Sequence, residues 1–483
     1  MPIVPDELRG TAHAYPDRVA LRVHRADGPV EVLTFRLWDQ ASDGLARRLV
    51  EEQGVRPGDR VMLRLPPAEA CSFEVAYFAA HKAGAIVVPV NPRYAKREVD
   101  HIVENCEPKV VITEPVDVEG LARDARPMQA PIEGTDIADI LYTSGTTGLP
   151  KGVASTHDNV LVNKAAPFER EMRLLQSIPL PTAFGSYGAM LMALRYGLTN
   201  VALPDFDAQR FGELIGSERP AWLLMVPAHI LLLIESGVLG AVDGSSVRMV
   251  LYGSAPTPTH AVAALAEAFP KAMLCNGYGL TEGGGSACTM PPGEALARPG
   301  SVGKPVDGVA LRILDDDGGE LPVGEIGEVA IRIGGGRREY WNDPVASAET
   351  WRDGWVHSGD LGYLDDDGYL YLVDRKKDMI IRGGYNVFSI EVEDALAEHP
   401  DVVEVAVLGI PHAILGQDIC AVVRLREGAP ALELDVARAF VANRLADYKQ
   451  PRRLVIRSNP LPRSPMQKVD KRALAGELGD LAL

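Results

Sequence analysis

The stretch YTSGTTGLPKG, residues 142–152, combines glycines, hydroxyl side chains and one lysine directly after an apolar segment. Glycines let backbone N–H groups approach a ligand closely, hydroxyls add further donors, and Lys151 supplies a positive charge. This combination suits a polyphosphate. A Walker loop is disfavoured, because that loop requires Ser or Thr directly after its lysine and Gly152 occupies this position.

The segments around this loop alternate between helical and β-branched patterns up to about residue 330. Residues 43–55 and 71–84 predict helices, and residues 59–65 and 85–90 predict the strands that follow them. Helices and strands that alternate at this spacing predict parallel sheets covered on both faces, and hence a large α/β unit. Further strands are predicted at residues 109–113, 138–143, 200–204, 221–226 and 247–253.

The pattern changes near residue 301. From there to about residue 372 short strands alternate with acidic turns. The runs 315–319 and 365–368 are typical of hairpin turns, because their carboxylates lack the spaced ligands of a calcium loop. The remaining residues predict a compact α+β unit of about a hundred residues. It contains helices at residues 390–398 and 436–445 and strands at residues 402–410 and 419–425.

The composition narrows the classes of partner and compartment. The 483 residues are 46% hydrophobic and 24% charged, as in an ordinary globular protein. A net charge of −17 argues against a nucleic acid or an anionic membrane as partner. Five scattered cysteines predict reduced packing residues, neither zinc ligands nor a disulfide framework. No secretory signal or membrane-spanning apolar stretch is visible, which predicts a cytoplasmic protein.

Five motifs in order resemble those of the adenylate-forming superfamily, which includes acyl-CoA synthetases, peptide-synthetase adenylation domains and luciferases. They are YTSGTTGLPKG, YGSAP (252–256), NGYGLTEGG (276–284), HSGDLGYLDDDGYLYLVDRKKD (357–378) and IRGGYNVFSIEVE (381–393). The resemblance covers essentially the whole chain. It implies a large N-terminal domain, residues 1–376, made of stacked α/β subdomains and a β-barrel-like part at about 301–372. A small mobile α+β domain, residues 377–483, is expected to follow a hinge at Lys377.

The resemblance also implies a nucleotide site. Tyr278 is expected to stack on adenine, Asp360 to hold the ribose hydroxyls, and Arg375 to contact ribose or phosphate. Thr281 and Glu282 are expected at the phosphates, with Mg²⁺ on Glu282 and Thr146. The other nucleotide-binding residues implied are Thr143, Ser144, Gly145, Thr146, Thr147, Gly148, Gly253, Ser254, Ala255, Asn276, Gly277 and Gly279.

The chemistry of the family fits these residue types. A carboxylate is a poor electrophile that must first become a mixed anhydride, which brings two anions together. Lys151, Mg²⁺ and the donor-rich loop would offset that repulsion. Lys468 resembles the mobile lysine that assists adenylate formation. Rotation about the hinge would then bring Gly383 and Gly384 to a coenzyme A tunnel.

The acid itself is indicated by the segment PLPTAFGSYG, residues 179–188. Adenylation domains for amino acids usually place an aspartate after the phenylalanine, but Gly185 follows Phe184 here. An uncharged site predicts an acid without an amino group, because a buried ammonium needs a partner. The acyl pocket is expected to take a fatty, aryl or polycyclic body. Its predicted lining is Thr182, Phe184, Trp222, Met225, Pro227, Gly253 and Gly277.

These observations predict an acyl-CoA synthetase that uses ATP, Mg²⁺ and coenzyme A. Two departures from the family motifs, Thr182 in place of a histidine or aromatic gate and Gln467 in place of a glycine, leave an alternative open. That alternative is an enzyme that performs only thioester formation on an adenylate made by a partner. A ligase that loads a separate acyl carrier protein is also open, as is a homodimer. A non-catalytic nucleotide-binding protein is disfavoured, since a pure binder needs no mobile lysine.

Overall fold

The computed structural model describes residues 2–123, 125–143, 149–162, 167–334, 336, 338–464 and 468–479. The strands, in chain order, are β1 (Val19–Val23), β2 (Glu31–Thr34), β3 (Arg60–Leu63), β4 (Ile86–Pro89), β5 (Val110–Ile112), β6 (Ile137–Thr143), β7 (Lys151–Thr156), β8 (Arg173–Gln176), β9 (Thr199–Ala202), β10 (Trp222–Met225), β11 (Met249–Gly253), β12 (Met273–Leu280), β13 (Gly285–Thr289), β14 (Lys304–Pro305), β15 (Val309–Leu314), β16 (Gly327–Ile333), β17 (Glu339–Tyr340), β18 (Trp351–Arg352), β19 (Trp355–Leu364), β20 (Leu370–Arg375), β21 (Ile380–Arg382), β22 (Tyr385–Val387), β23 (Val402–His412), β24 (Gly416–Leu425) and β25 (Arg453–Arg457).

Helices connect most of these strands. A π-helix (Phe184–Leu191) continues directly into the α-helix that begins at Met192. The α-helices, in chain order, are α1 (Val4–Ala14), α2 (Phe35–Glu51), α3 (Ala70–Lys82), α4 (Lys96–Cys106), α5 (Val118–Arg123), α6 (His157–Val160), α7 (Met192–Tyr196), α8 (Ala208–Glu218), α9 (Pro227–Glu235), α10 (Thr259–Ala268), α11 (Pro344–Thr350), α12 (Ser389–Ala397), α13 (Leu434–Val441) and α14 (Lys471–Leu478).

Two sheets form the first α/β part. The larger sheet has the strand order β14-β13-β12-β11-β10-β8-β9-β1-β2, and the smaller has the order β17-β7-β6-β4-β3-β5. The inner pairs are parallel, as predicted, whereas the edges β1–β2, β12–β13–β14 and β6–β7–β17 are antiparallel. The predicted strand at 138–143 therefore forms one arm of a hairpin with β7.

Local sequence explains how two of the long helices form. The Thr34 hydroxyl accepts a hydrogen bond from the Leu37 N–H and so caps α2, which begins well before the predicted residue 43. Every residue of α3 is buried, including Lys82. Its ammonium lies 2.6 Å from Asp39 and 2.9 Å from Asp43 on α2. These ion pairs compensate a buried charge that would otherwise be costly.

The β-rich part and the C-terminal domain each contain one further sheet. In the first, β15, β16, β19 and β18 pair in that order and β20 joins β19. The acidic runs there are turns: Asp315 accepts hydrogen bonds from the N–H groups of Asp317 and Gly319. In the C-terminal sheet the order is β22-β21-β24-β23, with β25 on β24. The predicted class, a large α/β N-terminal domain with a β-rich part and a small α+β domain, is confirmed.

All five cysteines are buried and free. Within the described ranges, no helix combines the length and the apolar character needed to cross a membrane. The helix predicted at 436–445 ends already at Val441, because a turn begins there.

Candidate active site

A cavity of about 1540 Å³ lies between the α/β sheets, the β-rich part and the C-terminal domain. Residues at the carboxyl ends of β11 and β12 line it, as do residues of β19 and β20. Ligand sites of open α/β sheets commonly lie at the carboxyl ends of the strands. The cavity is therefore the candidate active site.

Lys151 and Glu282 lie on one side of this cavity and share Tyr340 as a neighbour. The Lys151 ammonium lies 5.1 Å from the centre of the Tyr340 ring and 3.7 Å from the Asp343 carboxylate. The Tyr340 hydroxyl donates to Glu282 Oε1 at 2.9 Å, and the Thr143 hydroxyl donates to the same oxygen at 3.4 Å. A cation and a carboxylate are thus held side by side.

Thr143 and Lys151 are register partners at the loop end of the β6–β7 hairpin. They bracket the loop that is predicted to bind phosphate. Five of its predicted residues lie outside the described ranges, as does Gln467. These five are Ser144, Gly145, Thr146, Thr147 and Gly148.

Asp360 belongs to a second part of the cavity wall. Its carboxylate accepts a hydrogen bond from the Tyr278 hydroxyl at 2.7 Å and from Arg375 Nε at 2.8 Å. Asp360 and Arg375 are also register partners on β19 and β20. Burial, followed by the charge of Asp360, raises the pKa of Tyr278 well above its ordinary value, so its hydroxyl stays protonated. The three residues form one rigid polar group at the cavity wall.

Lys468 is the contribution of the C-terminal domain. It lines the cavity, and its side chain remains accessible to the water that fills the cavity. Its pKa is lowered, first by desolvation and then by the positive charge of Arg375, with a smaller lowering by Lys377; Asp360 and Glu282 oppose the shift. The structure therefore brings Lys468 together with predicted residues of both sides of the cavity.

The predicted adenine turn lies along the same cavity. Ser254 adopts a left-handed backbone with φ +70°, and the Asn276 side chain donates to the Ser301 carbonyl at 3.1 Å. Gly253 behaves differently, because it is buried and does not line the cavity. A Cβ at Gly253 would lie 2.1 Å from the Gly277 carbonyl oxygen. The predicted residues that do line the cavity are Ser254, Ala255, Asn276, Gly277, Tyr278, Gly279 and Thr281.

The predicted acyl pocket is only partly as expected. Thr182, Phe184, Pro227 and Gly277 line the cavity. The Thr182 hydroxyl donates to the Pro179 carbonyl at 2.8 Å and accepts from the Gly185 N–H at 2.9 Å. Thr182 thus supports the start of the π-helix, a structural task that a histidine or aromatic residue would not perform in this way.

Three predicted pocket residues, Met225, Trp222 and Gly253, do not line the cavity. Met225 has no exposed surface, because it points from β10 into the core under α8 and α9. Trp222 packs edge-on against Phe168 and Tyr196 at centroid distances of 6.1 and 5.6 Å, and does not line the cavity. Alternation along a strand could not reveal this, since both faces of β10 are apolar.

The residues predicted for the hinge and for the coenzyme A tunnel lie in different parts of the structure. Lys377 lies in the turn between β20 and β21 and lines the cavity. Gly383 and Gly384, with φ +58° and +86°, form the exposed turn between β21 and β22, outside the cavity. Only glycine adopts such a turn readily. A reorientation of the C-terminal domain would be needed to bring this turn to the cavity.

Sequence reasoning missed several residues that complete the site. Tyr340 contacts Glu282 from 58 residues away in sequence. Asp343 contacts Lys151 from about 190 residues away, through the β7–β17 pair. No local pattern marks such a long-range pair. A signal for the buried Asp139 was present, because it is a lone carboxylate within the apolar strand IADILYT.

Glu282 is suited to a divalent cation. Carboxylate oxygens are preferred ligands of Mg²⁺, which commonly binds one or two carboxylates together with substrate phosphates. Among the described residues no group of three or more His, Cys, Asp or Glu side chains could hold a metal by itself. A single carboxylate at this position would fit a magnesium ion that is also bound by the phosphates of a nucleotide.

Comparisons with known proteins extend over both domains. A family model described as AMP-binding enzyme matches residues 8–341, and one described as AMP-binding enzyme C-terminal domain matches residues 391–468. The long-chain-fatty-acid–CoA ligase FadD13 of Mycobacterium tuberculosis is 33% identical over 87% of this chain and 88% of its own. The fatty acid–[acyl-carrier-protein] ligase ScoC of Streptomyces coeruleorubidus is 31% identical over 92% and 91%. The anthranilate CoA ligase AuaEII in complex with anthranoyl-AMP superposes with a TM-score of 0.89 at 26% identity, covering 100% of this chain and 98% of that one.

Gly253→Ala should destabilise the N-terminal domain, because its methyl group would overlap the Gly277 carbonyl of the neighbouring strand. Overpacking of this kind costs about 1–3 kcal/mol. We expect a melting temperature several degrees lower in a thermal unfolding scan. Gly216→Ala is the control, since it lies in α8 with open space around it and should be neutral or stabilising. Equal melting temperatures for both variants would contradict the interpretation of Gly253 as a packing residue.

Proposed function

The chain belongs to the AMP-binding enzyme family, and from this premise we propose that it is an ATP-dependent acid–thiol ligase. It joins a carboxylic acid to coenzyme A through an acyl-adenylate. The observation that carries this proposal is the convergence of Lys468 from the C-terminal domain with Asp360, Glu282 and Lys151 in one cavity. A protein that only stores a nucleotide does not need a lysine from a second domain.

In the first step a carboxylate oxygen attacks the α-phosphorus of ATP, and the bond from that phosphorus to the pyrophosphate oxygen breaks. Asp360 would accept hydrogen bonds from the ribose hydroxyls, with Tyr278 and Arg375 fixing its orientation. Lys151 would offset the charge of the departing pyrophosphate, and Lys468 the approach of carboxylate to phosphate. Groups already held in place by the fold stabilise such charge without reorganisation.

Magnesium belongs to this proposal as a companion of ATP. Glu282 would bind it together with phosphate oxygens, and Thr146 is the second ligand expected from the sequence. When bound, the ion neutralises phosphate charge. Tyr340 and Thr143 would hold the Glu282 carboxylate in position through the hydrogen bonds to Oε1.

In the second step the sulfur of coenzyme A attacks the carbonyl carbon of the adenylate, AMP leaves, and the thiol proton is released. The C-terminal domain would rotate at Lys377, withdraw Lys468 and bring the turn of Gly383 and Gly384 to the cavity. Ser389 would restrain this rotation from the C-terminal side of the proposed hinge. Its hydroxyl donates to Asp374 at 3.0 Å and accepts from Lys471 at 2.6 Å, so Asp374 of β20 holds the start of α12 across the hinge.

The substrate is proposed to be an acid with an apolar body and no amino group. One helical face from Phe184 through Leu191 to Tyr196 lines the cavity, and Pro227 and Leu231 of α9 also line it. A carrier protein is a second candidate acceptor, favoured by the similarity to ScoC. Thr182 gives little support to a thioesterification-only enzyme, because its hydroxyl has a structural role at the start of the π-helix.

Lys468→Ala should separate the two steps. Carboxylate-dependent ATP–pyrophosphate exchange should fall by about two to three orders of magnitude, as for loss of a group that stabilises transition-state charge. Thioester formation from a synthetic acyl-adenylate and coenzyme A should stay near the wild-type rate. An equal loss in both assays would contradict a role confined to the first step. Wild-type protein without exchange for any acid, but with rapid thioester formation, would instead favour the thioesterification-only enzyme.

The alkaline limb of the exchange reaction should report Lys468. Because its pKa is lowered, the ammonium loses its proton at a lower pH than an ordinary lysine, whose pKa is 10.5. We therefore expect kcat/KM for exchange to decline on the alkaline side before pH 10.5. Lys468→Arg should move this decline to higher pH, since arginine keeps its proton throughout. A decline at the same pH in both proteins would assign it to another group.

Ser389→Ala should shift the balance between the two domain orientations. The hydroxyl's hydrogen bonds to Asp374 and Lys471 would be lost, while the backbone N–H bond to Asp374 remains. This loss should weaken the observed orientation by about 1 kcal/mol, a several-fold change. Exchange should slow by that factor, and thioester formation from supplied adenylate should not slow. Ser42→Ala is the control, because Ser42 is equally buried and hydrogen-bonded but lies within the N-terminal domain. The same ratio of half-reactions in both variants would remove Ser389 from the hinge.

A further inference from the structure

Asp139 is a carboxylate in the middle of an apolar strand. It has no exposed surface, and its neighbours Ala138 and Ile140 on β6 are also completely buried. Burial raises the pKa of Asp139 to about 6, while hydrogen bonds from two tyrosines and the charge of Arg338 limit the rise. Such a residue is unfavourable in a core unless its partners compensate. Its partners therefore indicate what it contributes.

Two tyrosine hydroxyls hold this carboxylate from opposite sides. Tyr77 of α3 donates to Oδ2 at 2.8 Å, and Tyr187 of the π-helix donates to Oδ1 at 2.6 Å. Tyr77 is completely buried and does not line the cavity, whereas Tyr187 lines it. One hydrogen bond thus anchors Asp139 in the core, and the other connects it to the wall of the cavity.

The wall in question is the π-helix. Phe184, Tyr187, Gly188 and Leu191 of this helix line the cavity. π-helical turns are uncommon and are frequently found at functional sites. Thr182 holds the first turn through the Gly185 N–H. The Asp139–Tyr187 hydrogen bond holds the middle of the helix from outside the cavity.

We propose that Asp139 is a positioning residue that fixes the shape of the acyl pocket through Tyr187. The inference rests on the proposed function, since it assigns this part of the cavity to the acid. With its hydroxyl tied to Asp139, the Tyr187 ring keeps one inclination in the wall. Without that tie the ring can turn and the helix can relax, which changes the cross-section beside Phe184 and Leu191. Asp139 would thereby select acids by the width of their body.

The test compares two substitutions that each remove one hydroxyl from the same carboxylate. Tyr187→Phe should raise KM for the best acid on the order of tenfold, the effect of about one lost buried hydrogen bond, and should broaden the range of acids accepted. KM for ATP should stay unchanged. Tyr77→Phe should lower the melting temperature by about as much as Tyr187→Phe does. It should leave KM for the acid and the acid profile as in the wild type. Asp139→Asn should resemble Tyr187→Phe.

Two kinetic results would overturn the proposal. One is an unchanged acid profile in Tyr187→Phe. The other is the same change of acid profile in Tyr77→Phe, which would indicate a general loss of stability. A readout without substrate separates this inference from the proposed function. Hydrogen–deuterium exchange of residues 184–191 in the free protein should accelerate in Tyr187→Phe and Asp139→Asn, and should not in Tyr77→Phe. Failure of the wild type to activate any acid would reject the proposed function. Unaltered hydrogen–deuterium exchange of residues 184–191 in all variants would reject the positioning role.

Discussion

The site depends on the two hydrogen bonds that the Asp360 carboxylate accepts. They join Tyr278, near the carboxyl end of β12, to Arg375 at the end of β20. Arg375 is two residues before Lys377, the proposed hinge. The ion pair of the proposed nucleotide anchor therefore lies within two residues of that hinge.

This arrangement explains why the charged groups of the cavity remain compatible. Lys468 would meet Arg375 and Lys377 as like charges, and both lower its pKa. Asp360 and Glu282 offset that repulsion in the free protein. A bound nucleotide would add negative charge at the same place and would strengthen the attraction for the lysine. The C-terminal domain is thus drawn toward the cavity most strongly when substrate phosphates are present.

The strands and the pairing of Asp360 with Arg375 could be predicted from the sequence, because their signals lie within short stretches. Expectation and structure differ where the decisive neighbour is distant in sequence. Met225 was expected in the pocket, but its apolar strand gives no sign of which face meets the core. Gly253 and Gly277 resemble ligand-contacting glycines, and only the register of β11 and β12 reveals that one is needed for strand packing.

The same reasoning applies to the domain orientation. Arg424 of the C-terminal domain contacts Glu235 at the end of α9 at 3.2 and 3.3 Å, and Glu235 is partly exposed. Partly exposed ion pairs of this kind contribute about 0–1 kcal/mol, so this contact can steer the domain without locking it. The buried contact of Asp374 with Ser389 is a stronger restraint, because it lies where water cannot replace it. Asp374 immediately precedes Arg375, whose guanidinium donates to Asp360. The restraint on the C-terminal domain and the proposed nucleotide anchor therefore lie on adjacent residues at the end of β20.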